Sequence, residues 1–220
     1  MKRLIDFLLA LLALVVLAPL FLVIIIILRF SGEGEVFYLQ ERVGKDGKPF
    51  NVMKFATMLK NSPNIGTGTI TLQHDPRVLP VGRFLRKTKI NELPQIINVL
   101  RGDIAIVGPR PQTQECFNFF PDELKDKIAS LRPGITGIGS VVFRDEEAIM
   151  GDAAEDRDKL YTAIMAYKGE LEAWYGEMKS LLLDFKLIFA TALAIVKPSL
   201  DVAKMFKGMP EMPAELRNLK

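Results

Sequence analysis

Residues 7–28 form an unbroken apolar run of 22 residues that contains no charged or polar side chain. A helix of this length extends about 33 Å at about 1.5 Å per residue, which is enough to cross a hydrocarbon core of about 30 Å. A cleaved signal peptide is disfavoured because the run is too long and no small-residue cleavage site follows it. The run therefore predicts a membrane-inserted helix near the start of the chain.

Two features of the run leave its topology open. Pro19 lies inside it, and a proline within a helix removes one backbone hydrogen bond and kinks the axis. Basic residues flank both ends, Lys2 and Arg3 before the run and Arg29 after it, so the positive charges favour translocation of neither end. The pattern fits a proline-kinked span, and it also fits a re-entrant hairpin that enters and leaves the same leaflet.

The cysteine and histidine content restricts the chemistry. The chain has one cysteine, Cys116, and one histidine, His74. An intramolecular disulfide, a cysteine-based zinc site and a histidine-cluster metal site are therefore excluded. A metal ion would have to be a hard cation bound by oxygen ligands. Any catalysis must depend mainly on carboxylates, arginine and lysine.

The charges are unevenly distributed along the chain. Residues 77–110 contain seven basic and two acidic side chains, whereas residues 122–158 contain five basic and ten acidic ones. A basic stretch suits a phosphorylated small molecule, an anionic lipid or a nucleic acid. Nucleic acid is disfavoured because the sequence contains no recognised nucleic-acid-binding motif.

Short apolar runs and turn signals predict a mixed helix and strand structure after the apolar run. The segment 180–197 is apolar except for Asp184 and Lys186, so it suits an interfacial helix or a core helix. The predicted strands are residues 37–40, 50–53 and 104–107. One helix is predicted to begin near Asn91, and three further helices are predicted at residues 122–130, 159–178 and 180–197.

Asn91 and Glu92 form the first candidate site. Asn91 is a favourable N-cap, which predicts that Glu92 lies in the first turn of a helix that ends at Gly102. The unpaired N–H groups and the dipole of a helix start stabilise a carboxylate, and a phosphate bound at the same place would lie beside Glu92. The alternative interpretation is an ordinary cap followed by a first-turn glutamate.

Arg110 is the second candidate, because it stands between Pro109 and Pro111 just after a predicted buried strand. Two prolines fix the backbone, so the guanidinium could bind a phosphate through two hydrogen bonds with little loss of entropy. The alternative is a rigid turn with a surface arginine. Four other basic residues could complete a positive pocket or lie on anionic lipid headgroups, namely Arg83, Arg86, Lys87 and Lys89.

Two further segments have weaker chemical signals. The glycines of residues 132–139 would let the backbone approach a ligand closely, although such a segment is also typical of a simple turn. The adjacent carboxylates Asp145, Glu146 and Glu147 could bind Mg²⁺ or act as acid and base, or form an exposed loop.

Several short motifs occur in a fixed order after the apolar run. They are Gln-x-Arg-Val-Gly at 40–44, Lys-Phe-Ala-Thr-Met at 54–58, Asp-Pro-Arg at 75–77, Glu-Leu-Pro-Gln at 92–95, Gly-Pro-Arg-Pro at 108–111, Arg-Pro-Gly-Ile-Thr-Gly at 132–137 and Asp-x-Lys at 184–186. This series closely resembles the bacterial sugar transferases known as monotopic phosphoglycosyl transferases. The resemblance covers nearly the whole chain, and its Glu-Leu-Pro-Gln and Gly-Pro-Arg-Pro elements are quite specific.

The resemblance implies a mixed α/β fold in three parts. Residues 1–30 would form a re-entrant membrane helix kinked at Pro19, and residues 31–197 a small catalytic domain with interfacial amphipathic helices. Residues 198–220 would form a C-terminal tail at the membrane surface. The implied location is the bacterial inner membrane, with the catalytic domain facing the cytoplasm.

The resemblance also implies a reaction. Members of that family bind a UDP-sugar with Mg²⁺ and transfer its sugar-1-phosphate to a polyprenyl phosphate, releasing UMP, through a phosphosugar carried on the aspartate of an Asp-Glu pair. This is the first membrane step of capsule, O-antigen or exopolysaccharide assembly. The sugar, the polyprenyl chain length and the oligomeric state stay open. The expected Mg²⁺ ligands are Asn91 and Glu92, and the residues expected to bind substrate phosphates are Arg110, Arg86, Arg83, Lys54 and Arg132.

The chain departs from the family at the nucleophile, because Asn91 stands where the family has its aspartate. A neutral amide is a poor nucleophile towards phosphorus and a poorer Mg²⁺ ligand than a carboxylate. Three explanations fit the sequence. Asn91 is an engineered change, or Glu92 or a carboxylate of Asp145, Glu146 or Glu147 does the work in a natural branch, or the protein is an inactive relative that binds UDP-sugar.

Overall fold

The protein has a mixed helix and strand structure, as the sequence predicts. The computed structural model describes residues 1–64, 75–144, 149, 157–197 and 201–217. The strands are β1 (Phe37–Val43), β2 (Pro49–Phe55), β3 (Ala105–Val107) and β4 (Gly134–Thr136). The α-helices are α1 (Lys2–Arg29), α2 (Pro80–Lys87), α3 (Gln95–Arg101), α4 (Gln114–Phe117), α5 (Asp122–Ala129), α6 (Ile138–Val142), α7 (Arg157–Met178), α8 (Leu181–Val196) and α9 (Ala214–Arg217), and single 3₁₀ turns cover Lys45–Gly47, Ser62–Asn64, Ile90–Glu92 and Val202–Met205.

The chain divides into two compact units. Unit 1 contains Met1, Arg3–Glu41 and Asn51–Gly102, and unit 2 contains Lys2, Arg42–Phe50 and Asp103–Lys220. β1 and β2 pair in a two-stranded sheet, and β3 and β4 pair in another. The predicted three-part division concerns membrane placement and stays a prediction.

The predicted apolar helix is confirmed as α1, which has 28 residues and continues through Pro19. Within the described part of the chain, it is the one helix long and apolar enough to cross a membrane. Most of its side chains are exposed, and the buried ones recur at spacings of three and four residues along one face. The buried and partly buried positions of this face are Asp6, Ala10, Leu14, Leu17, Phe21, Ile24 and Leu28.

The core of unit 1 forms where the second half of α1 meets the β1–β2 hairpin and α2. The centroid of the Phe55 ring lies 5.2 Å from that of Phe21 and 5.6 Å from that of Phe37. Leu85 of α2 joins the same buried cluster. α2 approaches the segment after β2 so closely that a Cβ on Gly82 would lie 2.2 Å from the Thr57 carbonyl oxygen. Only glycine fits there.

The Asp-Pro-Arg motif forms a buried ion pair in unit 1. The Arg77 Nη2 lies 2.6 Å from Asp75 Oδ2, and Arg77 Nη1 donates to the Ser62 carbonyl at 2.7 Å. A buried guanidinium is tolerated only when its donors are paired in this way. The motif therefore fastens two chain segments together on either side of residues 65–74.

The predicted helix start at Asn91 is wrong. Residues Ile90–Glu92 form a 3₁₀ turn, and α3 begins only at Gln95, after Pro94. The physical reason is that Lys89 is left-handed, with φ of 57°, and Pro94 lacks an N–H and favours the start of a helix. The predicted end at Gly102 is confirmed, since Gly102 has φ of 95°, the conformation that glycine supplies after a helix.

In unit 2, α7 and α8 pack with α6 around the largest buried cluster, confirming the two helices predicted near residues 159–178 and 180–197. Three apolar side chains of the C-terminal tail, Val202, Phe206 and Leu216, are buried in this cluster. The tail therefore belongs partly to the core of unit 2. Contact of its remaining surface with lipid stays a prediction.

Candidate active site

Asn91 lies in the 3₁₀ turn of unit 1 and is only 8% exposed. Its Oδ1 atom is buried and has no hydrogen-bond partner among the described residues. Leaving a buried acceptor unpaired costs about 1–3 kcal/mol, so such an atom is typical of a place where a ligand or a water supplies the partner. At the position of the expected nucleophile, the chain thus has a buried amide oxygen that can still accept a hydrogen bond or bind a cation.

Glu92 lies beside Lys54 of β2. The Lys54 Nζ is 3.8 Å from Glu92 Oε1, and each side chain is 17% exposed. The two segments are held together by Asn98, whose amide nitrogen donates to the Asn51 carbonyl at 2.7 Å and whose Oδ1 accepts from the Met53 N–H at 2.9 Å. The predicted site residues Lys54, Asn91 and Glu92 are therefore brought into one neighbourhood by β2 and α3.

Arg83 and Arg86 lie on α2 of the same unit. Arg86 is partly buried, and its Nη1 lies 3.7 Å from the Met58 sulfur. Arg83 is exposed. The two arginines differ in exposure because Gly82 and Leu85 form the buried face of the helix. Arg86 therefore lies next to the Lys-Phe-Ala-Thr-Met segment, whereas Arg83 faces solvent.

Arg110 and Arg132 belong to unit 2, where β3 and β4 bring their segments together. The strands are parallel, with Ala105 opposite Gly134 and Val107 opposite Thr136. Beyond them, the Gly108 N–H donates to the Thr136 carbonyl at 2.9 Å, and the Gly134 N–H donates to the Pro109 carbonyl at 2.8 Å. Two motifs that stand apart in the sequence thus form one hydrogen-bonded structure.

Glycine is required where these two segments cross. A Cβ on Gly108 would lie 2.2 Å from the Arg132 carbonyl oxygen, and a Cβ on Gly137 would lie 2.2 Å from the Gly108 carbonyl oxygen. No side chain fits at such distances. The glycines of residues 132–139 predicted either a ligand-binding turn or a simple turn. In the folded chain they pack against the backbone that precedes Arg110 and hold it in place.

The hairpin tip supports the Arg110 segment from another side. Arg42 Nη1 donates to the Pro111 carbonyl at 3.3 Å, and the Val43 N–H donates to the Gln112 carbonyl at 2.8 Å. Arg110 itself is partly buried. Arg42 and Val43 of the Gln-x-Arg-Val-Gly motif are therefore bonded to the chain just after Arg110 within unit 2.

Glu172 of α7 is a buried group that was not predicted from the sequence. It is 3% exposed, and its Oε1 accepts a hydrogen bond from the Gly139 N–H at 3.2 Å. Burial raises the pKa of Glu172 to about 7, although the Gly139 N–H and the charge of Lys168 act in the opposite direction. The spacing of Lys168, Glu172 and Tyr175 on one helix face was the signal that could have revealed it.

Some predicted residues lie outside the described part of the chain. These are the carboxylates Asp145, Glu146 and Glu147, and the single histidine, His74. The role of the three carboxylates as compensating ligands stays a prediction. Glu92 belongs to unit 1 and Arg110 to unit 2, so the roles expected of them around one substrate diphosphate also stay a prediction.

Comparison with known proteins gives the family context. Residues 1–198 match the family described as bacterial sugar transferase. The chain is 34% identical over 208 residues to the exopolysaccharide production protein ExoY of Sinorhizobium fredii, covering 88% of this chain and 84% of that protein. It is 36% identical over 194 residues to the UDP-glucose:undecaprenyl-phosphate glucose-1-phosphate transferase of Escherichia coli, covering 87% of this chain and 39% of that protein.

A third relative is the UDP-N-acetylgalactosamine-undecaprenyl-phosphate N-acetylgalactosaminephosphotransferase of Aeromonas hydrophila. It is 34% identical over 197 residues, covering 89% of this chain and 43% of that protein. The chain thus spans most of the length of ExoY but less than half of the two proteins whose names state a transfer to undecaprenyl phosphate.

Proposed function

The chain belongs to the bacterial sugar transferase family, and from that premise we propose that it transfers a sugar-1-phosphate from a UDP-sugar to a polyprenyl phosphate and releases UMP. Membership makes the chain a sugar-1-phosphate transferase, the reaction class that the names of the Escherichia coli and Aeromonas hydrophila relatives state for those proteins. For this chain we propose three details of the reaction, namely the UDP-sugar donor, the polyprenyl phosphate acceptor and the release of UMP.

The rigid presentation of Arg110 is the observation that carries the proposal. Its backbone is fixed by Pro109 and Pro111 and by the hydrogen bonds that join the Gly108 and Gly134 segments. A guanidinium on a fixed backbone loses little entropy when it binds, and its planar donors match phosphate oxygens. A diphosphate donor is therefore a fitting ligand for this residue.

Asn91 and Glu92 supply oxygen ligands that suit Mg²⁺. The buried Asn91 Oδ1 lacks a partner among the described residues, and Glu92 adds a carboxylate next to it in sequence. Mg²⁺ is commonly bound by one or two carboxylates together with substrate phosphates, so a larger protein cluster is not needed. When bound, the ion would neutralise charge on the diphosphate.

Glu92 is the proposed nucleophile of this chain as it stands. One Glu92 carboxylate oxygen attacks the sugar-bearing phosphorus, the bond from that phosphorus to the bridging oxygen breaks, and UMP leaves with that oxygen. An oxygen of the polyprenyl phosphate then attacks the same phosphorus and restores the Glu92 carboxylate. Lys54 Nζ, 3.8 Å from Glu92 Oε1, places a positive charge beside the attacking carboxylate. Two displacements replace one difficult displacement between bulky anions.

Asn91 favours a second candidate function, a relative that binds UDP-sugar without turnover. The amide preserves the size of an aspartate but not its charge, so binding would persist while the family's covalent step is lost. This candidate shares the fold, the membrane location and the nucleotide site with the first one. It differs only in the chemical step.

Release of UMP tests the proposed reaction. The purified chain and its Asn91→Asp variant would be incubated with a panel of UDP-sugars, polyprenyl phosphate and Mg²⁺. UMP release by the unchanged chain supports Glu92 as nucleophile, provided that Glu92→Gln abolishes it. Release only after Asn91→Asp identifies a disabled nucleophile, and UDP-sugar binding without release from either form supports the binding-only function. Release of UDP instead of UMP would indicate direct glycosyl transfer.

The contacts of both ends of α1 support the re-entrant placement. The inner membrane and the cytoplasmic side of unit 1 are the proposed location that the family resemblance implies. Near the start of α1, the Arg3 guanidinium donates to the Val99 carbonyl and, at 2.8 Å, to the Leu100 carbonyl. These carbonyls belong to the last turn of α3, where the helix dipole makes a cation favourable. Near its end, Phe21 and Leu28 are buried in the core of unit 1. A straight crossing would have to separate one end of α1 from this unit.

Helix α8 supports an interfacial location for unit 2. Its exposed side is apolar at helical spacing, and basic residues accompany that side, which is the pattern of a helix lying in the headgroup region. Acidic phospholipids would attract the lysines. The exposed apolar residues are Leu182, Phe185, Phe189, Ile195 and Val196, and the exposed lysines are Lys186 and Lys197.

Cysteine labelling tests the topology. A cysteine inserted between Met1 and Lys2, in a Cys116→Ser background, would be probed with an impermeant maleimide in inverted and right-side-out membrane vesicles. The re-entrant placement predicts labelling from the cytoplasmic face, the same face as a reporter cysteine replacing the exposed Lys45. Labelling of the inserted cysteine only from the opposite face would establish a simple span.

A further inference from the structure

We propose that Lys2 is a positioning residue for the phosphate-binding arginine: its ammonium holds the carbonyl at the end of β3, two residues before the Pro109–Arg110 peptide bond. The inference rests on the proposed function, because Arg110 matters only if a phosphate is bound. It assigns to the first residue of the membrane helix a task other than attachment to the bilayer.

The contacts of Lys2 carry this inference. Its Nζ donates to the Val107 carbonyl at 3.2 Å and forms an ion pair with Asp184 Oδ2. The Tyr175 hydroxyl lies in the same network, 2.7 Å from Asp184 Oδ1 and 3.3 Å from the Val107 carbonyl oxygen. Lys2, Val107, Tyr175 and Asp184 all belong to unit 2. The Lys2 ammonium and the Tyr175 hydroxyl therefore both contact the last carbonyl of β3, and Asp184 of α8 bonds both of these groups.

Burial makes the network energetically significant. Tyr175 is 3% exposed and the Asp184 side chain 10% exposed, whereas Lys2 is 39% exposed and reaches into the network from the surface. A buried carboxylate requires a counter-charge, and removing one partner of such a pair is strongly destabilising locally. Hydrogen bonds from charged groups are stronger than those between neutral groups. The ammonium of Lys2 meets both requirements.

The Val107 carbonyl is well placed to control Arg110. The next residue, Gly108, is bonded through its N–H to the Thr136 carbonyl, and the Pro109 carbonyl accepts from the Gly134 N–H. The prolines on both sides of Arg110 allow little rotation about φ. A shift of the Val107 peptide therefore has few flexible bonds in which to be absorbed before it reaches Arg110.

The direction of the Lys2 side chain distinguishes this role from membrane attachment. A basic residue that only anchors a helix would extend its ammonium to lipid phosphates. Lys2 instead directs its ammonium to Asp184 and Val107 inside unit 2. Arg29 at the other end of α1 bonds the nearby Gly34 carbonyl and is exposed, so it provides a matched control of equal charge on the same helix.

Hydrogen exchange tests the structural half of the inference in the absence of any nucleotide. The full chain in lipid nanodiscs would be compared with Lys2→Met, Lys2→Arg and Arg29→Met, following the amides of residues 105–112. We expect Lys2→Met to accelerate exchange there by about tenfold or more, from the loss of one charge-assisted hydrogen bond. Lys2→Arg and Arg29→Met should stay near the unchanged protein. Equal exchange in Lys2→Met and Arg29→Met would overturn the inference.

A double-mutant cycle tests the functional half. The affinity for UDP with Mg²⁺ would be measured by calorimetry for Lys2→Met, Arg110→Gln and the double variant. If Lys2 acts through Arg110, Lys2→Met weakens binding by about tenfold on its own but by less than about twofold when Arg110 is already replaced. The same fold-loss in both backgrounds would show a general structural effect and overturn the positioning role.

The two experiments separate this inference from the proposed function. A chain that neither binds UDP nor releases UMP, even as Asn91→Asp, refutes the proposed function, and the exchange result still decides whether Lys2 holds residues 105–112. Normal UDP binding with unchanged exchange in Lys2→Met refutes the inference alone. Sedimentation with membranes, expected to be equal for all variants, ensures that the comparison concerns inserted protein.

Discussion

The Gly139 N–H donates a hydrogen bond to the Glu172 carboxylate across 3.2 Å in the interior of unit 2. A Cβ on Gly139 would lie only 2.6 Å from the same carboxylate oxygen, so the contact requires glycine at position 139. This contact supports the chain just after the Arg-Pro-Gly-Ile-Thr-Gly segment. The ionisable group Glu172 therefore packs against the backbone segment that holds the chain around Arg110 in place.

This burial predicts that stability falls as the pH rises. The pKa of Glu172 is about 7 in the folded protein against an ordinary value of 4.5, so between these values the folded state binds more protons than the unfolded state. The contribution is fully present below pH 4.5 and is lost as the pH rises through 7. Over that window the free energy of unfolding should decrease by about 3 kcal/mol from this group. Thermal unfolding in detergent between pH 5 and pH 8 would measure it.

Glu172→Gln separates this group from the other carboxylates. The amide keeps the size of the side chain and removes its titration, so the pH dependence of the melting temperature should become flatter over the same window. Glu177→Gln is the matched control, because Glu177 lies on the same helix with its side chain 69% exposed. An equally steep pH dependence in Glu172→Gln and in the unchanged chain would contradict the assignment.

Arg110 should be the arginine on which nucleotide binding depends most. Arg110→Gln is expected to weaken UDP binding by between about tenfold and about a hundredfold, the range for loss of a charged hydrogen-bonding partner. Arg110→Lys should recover only part of the loss, because an ammonium cannot form the paired, planar contact. Calorimetric titration with UDP and Mg²⁺ measures both. Arg101→Gln removes an exposed arginine and should bind as the unchanged protein does.

Local signals in the sequence were sufficient for much of the fold. The apolar run predicted α1, and the end of α3 at Gly102 followed from the conformational freedom of glycine after a helix. The start of α3 was mispredicted because two local rules conflict there. Asn91 favours a cap, but Pro94 and the left-handed Lys89 move the helix start to Gln95. Where α3 starts depends on the backbone conformation of these residues, which the spacing of apolar residues in the sequence does not reveal.

Long-range pairing explains what the sequence did not predict. β4 has only three residues and is stable only beside β3, so nothing within its own segment marks it as a strand. Glu172 was missed for a similar reason, since its burial arises from the packing of α7 against α6. The order of the motifs led to the family that the comparison confirms. What they touch could be known only from the folded chain.

The crossing of the two glycine segments should be intolerant of any side chain. In Gly108→Ala the new Cβ would lie 2.2 Å from the Arg132 carbonyl oxygen, a contact with backbone that cannot be relieved by rotating a side chain. We expect a destabilisation of about 3 kcal/mol or more, with loss of UDP binding. Gly176→Ala is the control: its Cβ would lie 3.1 Å from a flexible Leu131 methyl group, and alanine favours the helix. Similar melting temperatures for the two variants would contradict the crossing.

Asn98 should be essential for the arrangement of Lys54 and Glu92. It is fully buried, and it both accepts from the Met53 N–H and donates to the Asn51 carbonyl, so no apolar residue can replace it without leaving two backbone groups of β2 unpaired. Asn98→Leu is expected to lower the free energy of unfolding by about 2–4 kcal/mol, from two unpaired buried groups at about 1–3 kcal/mol each with partial relief by water. Asn98→Asp should also destabilise, because the aspartate cannot donate to the Asn51 carbonyl. Thermal unfolding of both variants, with the exposed Asn51→Ser as control, measures the effect. If Asn98→Leu melts at the temperature of the unchanged chain, the clamp between α3 and β2 does not exist as described.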